Sequence, residues 1–394
     1  MRCQLACLLA LAFAVVSARP AVALDDEHWR IANGSIDKGI AYLRTTQNED
    51  GSWMPEPGPA ITSLIVTGML DQPDIDANDP TVAKALTYIM SKQFEDGSFR
   101  ENEDGILSNY NTAITLSALA RIDNDPKIAE AIRKGQQFLI ANQWQVGMVD
   151  SDGNEVTEDH PYYGGFGYGR KGRADLSNTH MTLQALHDTG VPCDDPAFQR
   201  ALVFLNKLQA YEGNETYGDQ IDNDGGFIYA PSINRDHINT PESKASQDQI
   251  DAGNRGETVS GLRTYGGMTY AGFKSLLYAE LDRDDARVQA VLGWIANNYR
   301  LDVNPGMPED RQLQGLFYYY MTMSRALDAW GSSMVTVNEG EGQVQRDWAN
   351  DLIDALANAQ NEDGSWANIA PRWLEDKPAL STAYAIIALN AAID

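Results

Sequence analysis

One heptapeptide occurs twice, letter for letter, near opposite ends of the chain. Gln47-Asn48-Glu49-Asp50-Gly51-Ser52-Trp53 returns as Gln360-Asn361-Glu362-Asp363-Gly364-Ser365-Trp366. Gln93-Phe94-Glu95-Asp96-Gly97-Ser98-Phe99 is a close variant. Gln143-Trp144 and Gln209 open degraded copies, and Asp224-Gly225-Gly226-Phe227 is the displaced tail of the Gln209 copy. Such self-similarity points to stacked units that pack on their neighbours. Stacking also frees a chain of 394 residues from the size limit of a single ordinary core.

Two kinds of helix flank each copy. Upstream, Val82, Ala85, Leu86, Ile89 and Met90 return every three to four positions, with Lys84, Thr87, Ser91 and Lys92 on the other face. Phe198, Leu202, Leu205 and Leu208 repeat the pattern, as do Ile128, Ile132 and Leu139. Asp79-Pro80, Asp125-Pro126 and Asp195-Pro196 mark the starts: an Asp N-cap, then Pro at the first helical position. These are expected to be outer helices, wet on one side. Downstream, 110–119 and 381–389 carry no charge and are rich in Ala, which predicts helices buried all round. Similar helices start near Ala60, Ser177, Gly267 and Gly315. Thr62, Thr112, Thr179, Thr269, Thr322 and Thr382 fall one in each.

Six outer–inner pairs result, with outer helices ending near Gln47, Gln93, Gln143, Gln209, Tyr299 and Gln360. The last inner helix runs apolar almost to Asp394, where an open stack needs a polar cap. We therefore expect an all-α toroid, a closed α/α barrel of six helix-pair repeats, as one domain over residues 24–394. Within the repeated segment, Gln is expected to cap the outer helix, Gly to make the turn and Trp to pack between repeats.

The first 23 residues read as a leader. Arg2 is followed by an apolar run from Leu5 to Val16 and a small-x-small site at Ala21-Val22-Ala23, the pattern of a secretory signal peptide. Export after cleavage near Ala23, to the periplasm or beyond the cell, is the expectation. Cys3 and Cys7 leave with the leader, so Cys193 remains alone and no internal disulfide or thiolate zinc site is expected. The net charge of −26 becomes −28 once Arg2 and Arg19 are gone. That surface repels nucleic acid and anionic lipid. No later stretch is apolar enough to span a membrane.

Lys38-Gly39-x-x-Tyr42-Leu43-x-x-x-Gln47-x-x-x-Gly51-x-Trp53 resembles the QW repeat of squalene and oxidosqualene cyclases. Tyr163-Gly164-Gly165-Phe166-Gly167-Tyr168, leading to Asp175-Leu176-Ser177-Asn178-Thr179-His180, is similar to the prenyltransferase/squalene oxidase repeat proteins of bacteria. The resemblance covers residues 30–394 and implies the terpenoid cyclase/protein prenyltransferase toroid. The chain departs from the family at two places. Asp74-Ile75-Asp76-Ala77-Asn78-Asp79 lacks the Asp-x-Asp-Asp acid of squalene–hopene cyclases and reads as a helix cap. Asp175-Leu176-Ser177 stands where prenyltransferases carry an Asp-x-Cys zinc pair, so zinc–thiolate activation is not implied. Asp150-Ser151-Asp152-Gly153-Asn154-Glu155 resembles the start of a calcium loop but lacks Gly at its sixth position, and reads as a solvated turn.

Three insertions, 144–176, 210–266 and 300–314, interrupt the ring. The resemblance places them at one mouth of the central cavity. Long loops in compact domains often carry function. The candidate ligand-binding residues are Tyr163, Tyr168, Arg170, Arg263, Tyr265 and Tyr319. Aromatic rings with a few polar groups suit cation stabilisation or sugar stacking. The candidate acid–base residues are Asp175, His180 and Glu257, although His180 reads first as a hydrogen-bonded inner-helix residue. No cofactor and no metal are expected. Three functions stay open. The first is binding of a lipid (terpenoid), glycan or peptide at the cavity mouth. The others are a terpene-cyclase-like or transferase-like enzyme and a polysaccharide-lyase-like enzyme.

Overall fold

A computed structural model describes residues 24–394 apart from 170–171, 234–239 and 258–260. The leader, residues 1–23, and Arg170 therefore lie outside the described residues. The chain runs α1 (Asp26–Thr46), α2 (Ala60–Leu70), α3 (Pro80–Ser91), α4 (Ser108–Leu119), α5 (Pro126–Asn142), α6 (Leu176–Asp188) and α7 (Pro196–Leu208). It continues through α8 (Gln247–Asn254), α9 (Gly266–Tyr278), α10 (Ala286–Asn298), α11 (Leu316–Trp330), β1 (Met334–Glu339), β2 (Gly342–Asp347), α12 (Trp348–Ala359) and α13 (Pro378–Ile393).

The two helix types follow from composition. Helix α3 buries Val82, Ala85, Leu86 and Ile89 on one face, and Asp79 caps it by accepting from the amides of Thr81 and Val82. Helix α4 buries every residue except Tyr110. The inner helices touch in the order α2, α4, α6, α9, α11, α13, and α13 returns to α2. Helices α1, α3, α5, α7, α10 and α12 pack outside them. The result is an α/α toroid, with one addition to the all-α expectation. Strands β1 and β2 pair antiparallel between α11 and α12, and β1 lies against α10. Val335 and Val337 are its buried side. Their alternation, ahead of the turn at Gly340, is the strand signal.

The repeated heptapeptide stitches neighbouring outer helices. Gln47 stands at the C-cap of α1, but its amide Nε2 reaches forward to Thr81 O in α3 at 2.9 Å and to Gly51 O at 3.0 Å. Gln360 repeats this from α12 to Ser35 O in α1, at 2.8 Å, and so closes the ring. Gly51, at φ 95°, lies on the next outer helix: an added Cβ would stand 2.2 Å from Lys84 O. The indole N–H of Trp53 donates to Leu43 O (3.0 Å), and that of Trp366 to Leu356 O (2.8 Å). Both rings are fully buried.

The recurrent threonine accepts the next link. Trp53 N donates to Thr62 Oγ1 (3.0 Å), Phe99 N to Thr112 Oγ1 (2.8 Å) and Trp366 N to Thr382 Oγ1 (3.0 Å). Phe166 and Thr179, and Phe227 and Thr269, do the same. Each bond ties a loop to the back of an inner helix and sets which face of that helix points at the axis. Thr322 differs: among the described residues no loop N–H donates to it, and its hydroxyl bonds only Tyr318 O and Tyr319 O.

Candidate functional site at the mouth of the ring

The residue two positions before each loop-binding threonine lies 200° around the helix, on the axis side. Ala60, Tyr110, Ser177, Gly267 and Leu380 occupy that position, and all five line one cavity of about 320 Å³. In α11 the equivalent residue is Tyr318, because Tyr320 rather than Thr322 faces the preceding loop, donating to Leu301 O. The cavity thus sits at the N-terminal ends of the inner helices, inside the size range of small-molecule sites.

Its wall is aromatic. Tyr110, Tyr168, Tyr229, Tyr265, Tyr318 and Tyr384 border it, and Trp373 crosses the rim. Tyr110 and Tyr168 meet at a tilt with ring centres 5.8 Å apart, and Tyr318 meets Tyr384 edge-on at 6.1 Å. The hydroxyls of Tyr168 and Tyr229 lie 3.2 Å apart. Burial pushes the phenols of Tyr110, to about 12, and of Tyr168 upward, so these rings stay neutral. Behind Tyr229, Arg173 and Lys244 both pair with Glu242, and Lys244 Nζ lies 4.5 Å from the Tyr229 ring centre. These two cations are therefore held by Glu242 in the wall rather than presented to the cavity.

Among the described residues, Glu375 is the only ionisable carboxyl bordering the cavity. Burial pushes it up to about 7, against N–H donors that hold it down: Tyr318 N (2.8 Å), Phe317 N (3.3 Å) and Asn368 Nδ2 (2.7 Å). It thereby caps α11. Just before it, Trp373 and Leu374 hold left-handed φ of 58° and 66°, uncommon for bulky residues. Gly315, at φ 71°, leaves room for the Trp373 ring, which an added Cβ would meet at 3.1 Å. Ile106 and Ile369 stand 77% and 86% exposed beside cavity-lining segments.

Of the residues picked from the sequence, Tyr168 and Tyr265 line the cavity. Asp175 lies behind the wall as the buried N-cap of α6, accepting from Asn178 N at 2.9 Å and from its side chain; burial pushes it up to about 6. His180 lies deeper, its Nδ1 3.5 Å from the Tyr318 hydroxyl and its Nε2 buried without a partner. Burial, then Lys274 and Arg325, lowers its pKa, so it is neutral.

The others stand elsewhere. Glu257 is exposed and pairs with its near neighbour Arg255 at 2.8 Å. Arg263 is exposed, and its Nη1 donates to Ala245 O. Tyr163 packs toward α7, with Lys207 Nζ 5.8 Å from its ring centre. Tyr319 turns away from the axis and donates to Arg300 O at 2.8 Å.

No family model matches the chain. A stretch of 131 residues, 29% of the chain, is 28% identical to a squalene–hopene cyclase of Bradyrhizobium diazoefficiens and spans 19% of that cyclase. Among solved structures, the type II terpene cyclase MstE from Scytonema, with geranylgeranyl dihydroxybenzoate bound, is similar at TM-score 0.53 and 14% identity, covering 94% of this chain and 99% of its own. A polysaccharide lyase matches at TM-score 0.54 and 9% identity, covering 93% and 97%. An α-1,6-mannanase from Salegentibacter matches at TM-score 0.53 and 10% identity, covering 93% and 98%. Together these matches show that the chain has an α/α-toroid fold like that of squalene and terpene cyclases, a fold that glycan-active enzymes share.

Proposed function

We propose that this protein binds an apolar, unsaturated ligand of isoprenoid class in the cavity at the N-terminal ends of its inner helices. The observation that carries this reading is the wall: six tyrosines and a tryptophan around about 320 Å³, with one carboxyl. Aromatic faces hold hydrocarbon and unsaturation well, and the few polar groups set orientation. Trp373, kept over the mouth by its strained backbone, closes on the ligand. The apolar rim at Ile106 and Ile369 is where such a ligand enters.

Binding is favoured over protonation of a polyene. A carboxyl raised to about 7 still holds a proton near neutral pH, so its pKa does not decide between the two. What favours binding is that Glu375 spends its oxygens on N–H donors. A lyase is less favoured because, among the described residues, no guanidinium borders the cavity. The same reading takes the ring as six copies of one helix pair. It also takes the protein as exported, with Leu24 at its mature N-terminus; N-terminal sequencing of the exported protein tests that point.

The test of function is native extraction followed by mass spectrometry of co-purified small molecules. An isoprenoid at near-stoichiometric yield is the expected result. A glycan or peptide in its place would overturn the reading.

A further inference from the structure

A second cavity, of about 440 Å³, lies at the other end of the ring, where the inner helices finish. Its wall is charged: Asp71, Arg121, Asp188, Arg325, Asp328 and Asp394 all border it. Some of these charges are matched. Arg121 makes a two-pronged contact with Asp71, at 2.5 and 3.2 Å, and donates to Ser117 O. Gln184 accepts from Lys274 and donates to Asp188 Oδ1 at 2.6 Å.

Four groups are left over: Arg325 and the carboxylates of Asp188, Asp328 and Asp394. Arg325, partly buried in α11, makes no hydrogen bond and no ion pair among the described residues. Asp188 Oδ2 is buried without a hydrogen-bond partner, and its nearest cation, Arg121 Nη1, stands 3.9 Å away. An unsatisfied buried carboxylate oxygen is costly. Arg325 and Asp188 both open onto one cavity, and burial of Asp188 is offset by His187, Arg325 and Arg121, which hold it at about 2. It is therefore ionised whenever a ligand arrives.

We infer that this cavity is a binding site for a small zwitterion of the α-amino acid class. The ligand carboxylate takes the fork of Arg325, a geometry in which two parallel N–H bonds form. Its ammonium donates to Asp188 Oδ2. Tyr278, stacked flat on His187 at 4.0 Å, forms an aromatic side of the chamber. The charge pattern selects against simpler ligands. A lone anion at Arg325 faces Asp188, Asp328 and Asp394, and a lone cation at Asp188 leaves the fork of Arg325 unfilled. A metal ion is disfavoured too: among the described residues no three His, Cys, Asp or Glu side chains converge.

The site is independent of the aromatic cavity and is tested separately. Glycine and L-alanine, with acetate and methylamine as single-charge controls, are titrated into the full-length protein by isothermal calorimetry. One amino acid is expected to bind one-to-one, with both controls at least tenfold weaker. Arg325→Met is expected to weaken binding at least tenfold. Asp188→Asn, which keeps the hydrogen bond from Gln184, is expected to do the same should Arg325→Met fail to fold by circular dichroism. The inference is overturned if neither amino acid binds at concentrations up to about 10 mM. It is equally overturned if acetate or methylamine binds as tightly as the amino acid, or if the folded variants bind like the parent.

Discussion

Gln360 Nε2 donates to Ser35 O at 2.8 Å across 325 positions of sequence, and this bond is the seam of the ring. The same amide also holds Gly364 O at 2.9 Å, so one side chain satisfies two carbonyls. Replacing it by Ala leaves both short of a partner. Gln360→Ala is expected to cost about 1–3 kcal/mol of stability. Gln345→Ala, on the exposed face of the hairpin, is expected to stay within about 0.5 kcal/mol. Urea denaturation of the two variants checks the contrast; equal midpoints would remove the seam from the account.

Gly51 and Gly34 make a second pair of opposites. A side chain at Gly51 meets Lys84 O at 2.2 Å with φ at 95°, whereas nothing lies within 4 Å of a Cβ at Gly34, inside helix α1. Gly51→Ala is expected to destabilise strongly, by more than about 1 kcal/mol. Gly34→Ala is expected to be neutral or to stabilise by up to about 1 kcal/mol. Thermal unfolding that ranks them the other way round would contradict the close approach of loop to helix.

Trp53 and Trp366 occupy the same slot in the first and last copies of the heptapeptide. Each loses a buried ring and an indole hydrogen bond on truncation. Trp→Ala at either position is expected to cost about 3–5 kcal/mol. Unchanged unfolding of both variants would refute their packing role.

Acidity supplies a fourth prediction. Glu375 is pushed up to about 7 and Asp175 to about 6. Between about pH 4 and pH 7 the folded chain therefore binds more protons at these two groups than the unfolded chain does. Their contribution makes stability fall as pH rises through that window. Asp150, held at about 2, acts below it: its contribution is lost as pH falls from about 4 toward 2. Glu375→Gln is expected to reduce the loss between about pH 4.5 and pH 7.5 by up to about 3 kcal/mol. Urea unfolding at the two pH values measures this; an unchanged difference in the variant would show that Glu375 titrates normally.

The closed α/α ring was legible because its signals are local and repeated. The heptapeptide, the Asp–Pro helix starts and the uncharged inner helices each recur, and each has one physical cause. The cavity was harder to read. Its lining follows from the register of the threonine that binds the loop, and in α11 that register misleads: counting back from Thr322 gives Tyr320, whereas Tyr318 faces the axis. Tyr319, the residue expected from the sequence, lies one position, or 100° of helix, away from Tyr318. Glu375 carries no periodic signal at all, since it follows two left-handed residues in a loop. Glu257 and Arg263 looked functional by composition, yet one pairs with Arg255 on the surface and the other is held by Ala245 O. Residue type alone does not distinguish a charge that faces a cavity from one that faces water.

The measurement closest to the central claim is native mass spectrometry of the full-length protein with geranylgeraniol, against an oligomannoside of similar mass. The account predicts a one-to-one isoprenoid adduct and no sugar adduct. It also predicts at least a tenfold loss of isoprenoid affinity, about 1.4 kcal/mol, in Trp373→Ala, whose half-open ring at the cavity rim makes misfolding a poor explanation. A sugar adduct without an isoprenoid adduct, or isoprenoid binding unchanged in Trp373→Ala, would contradict it.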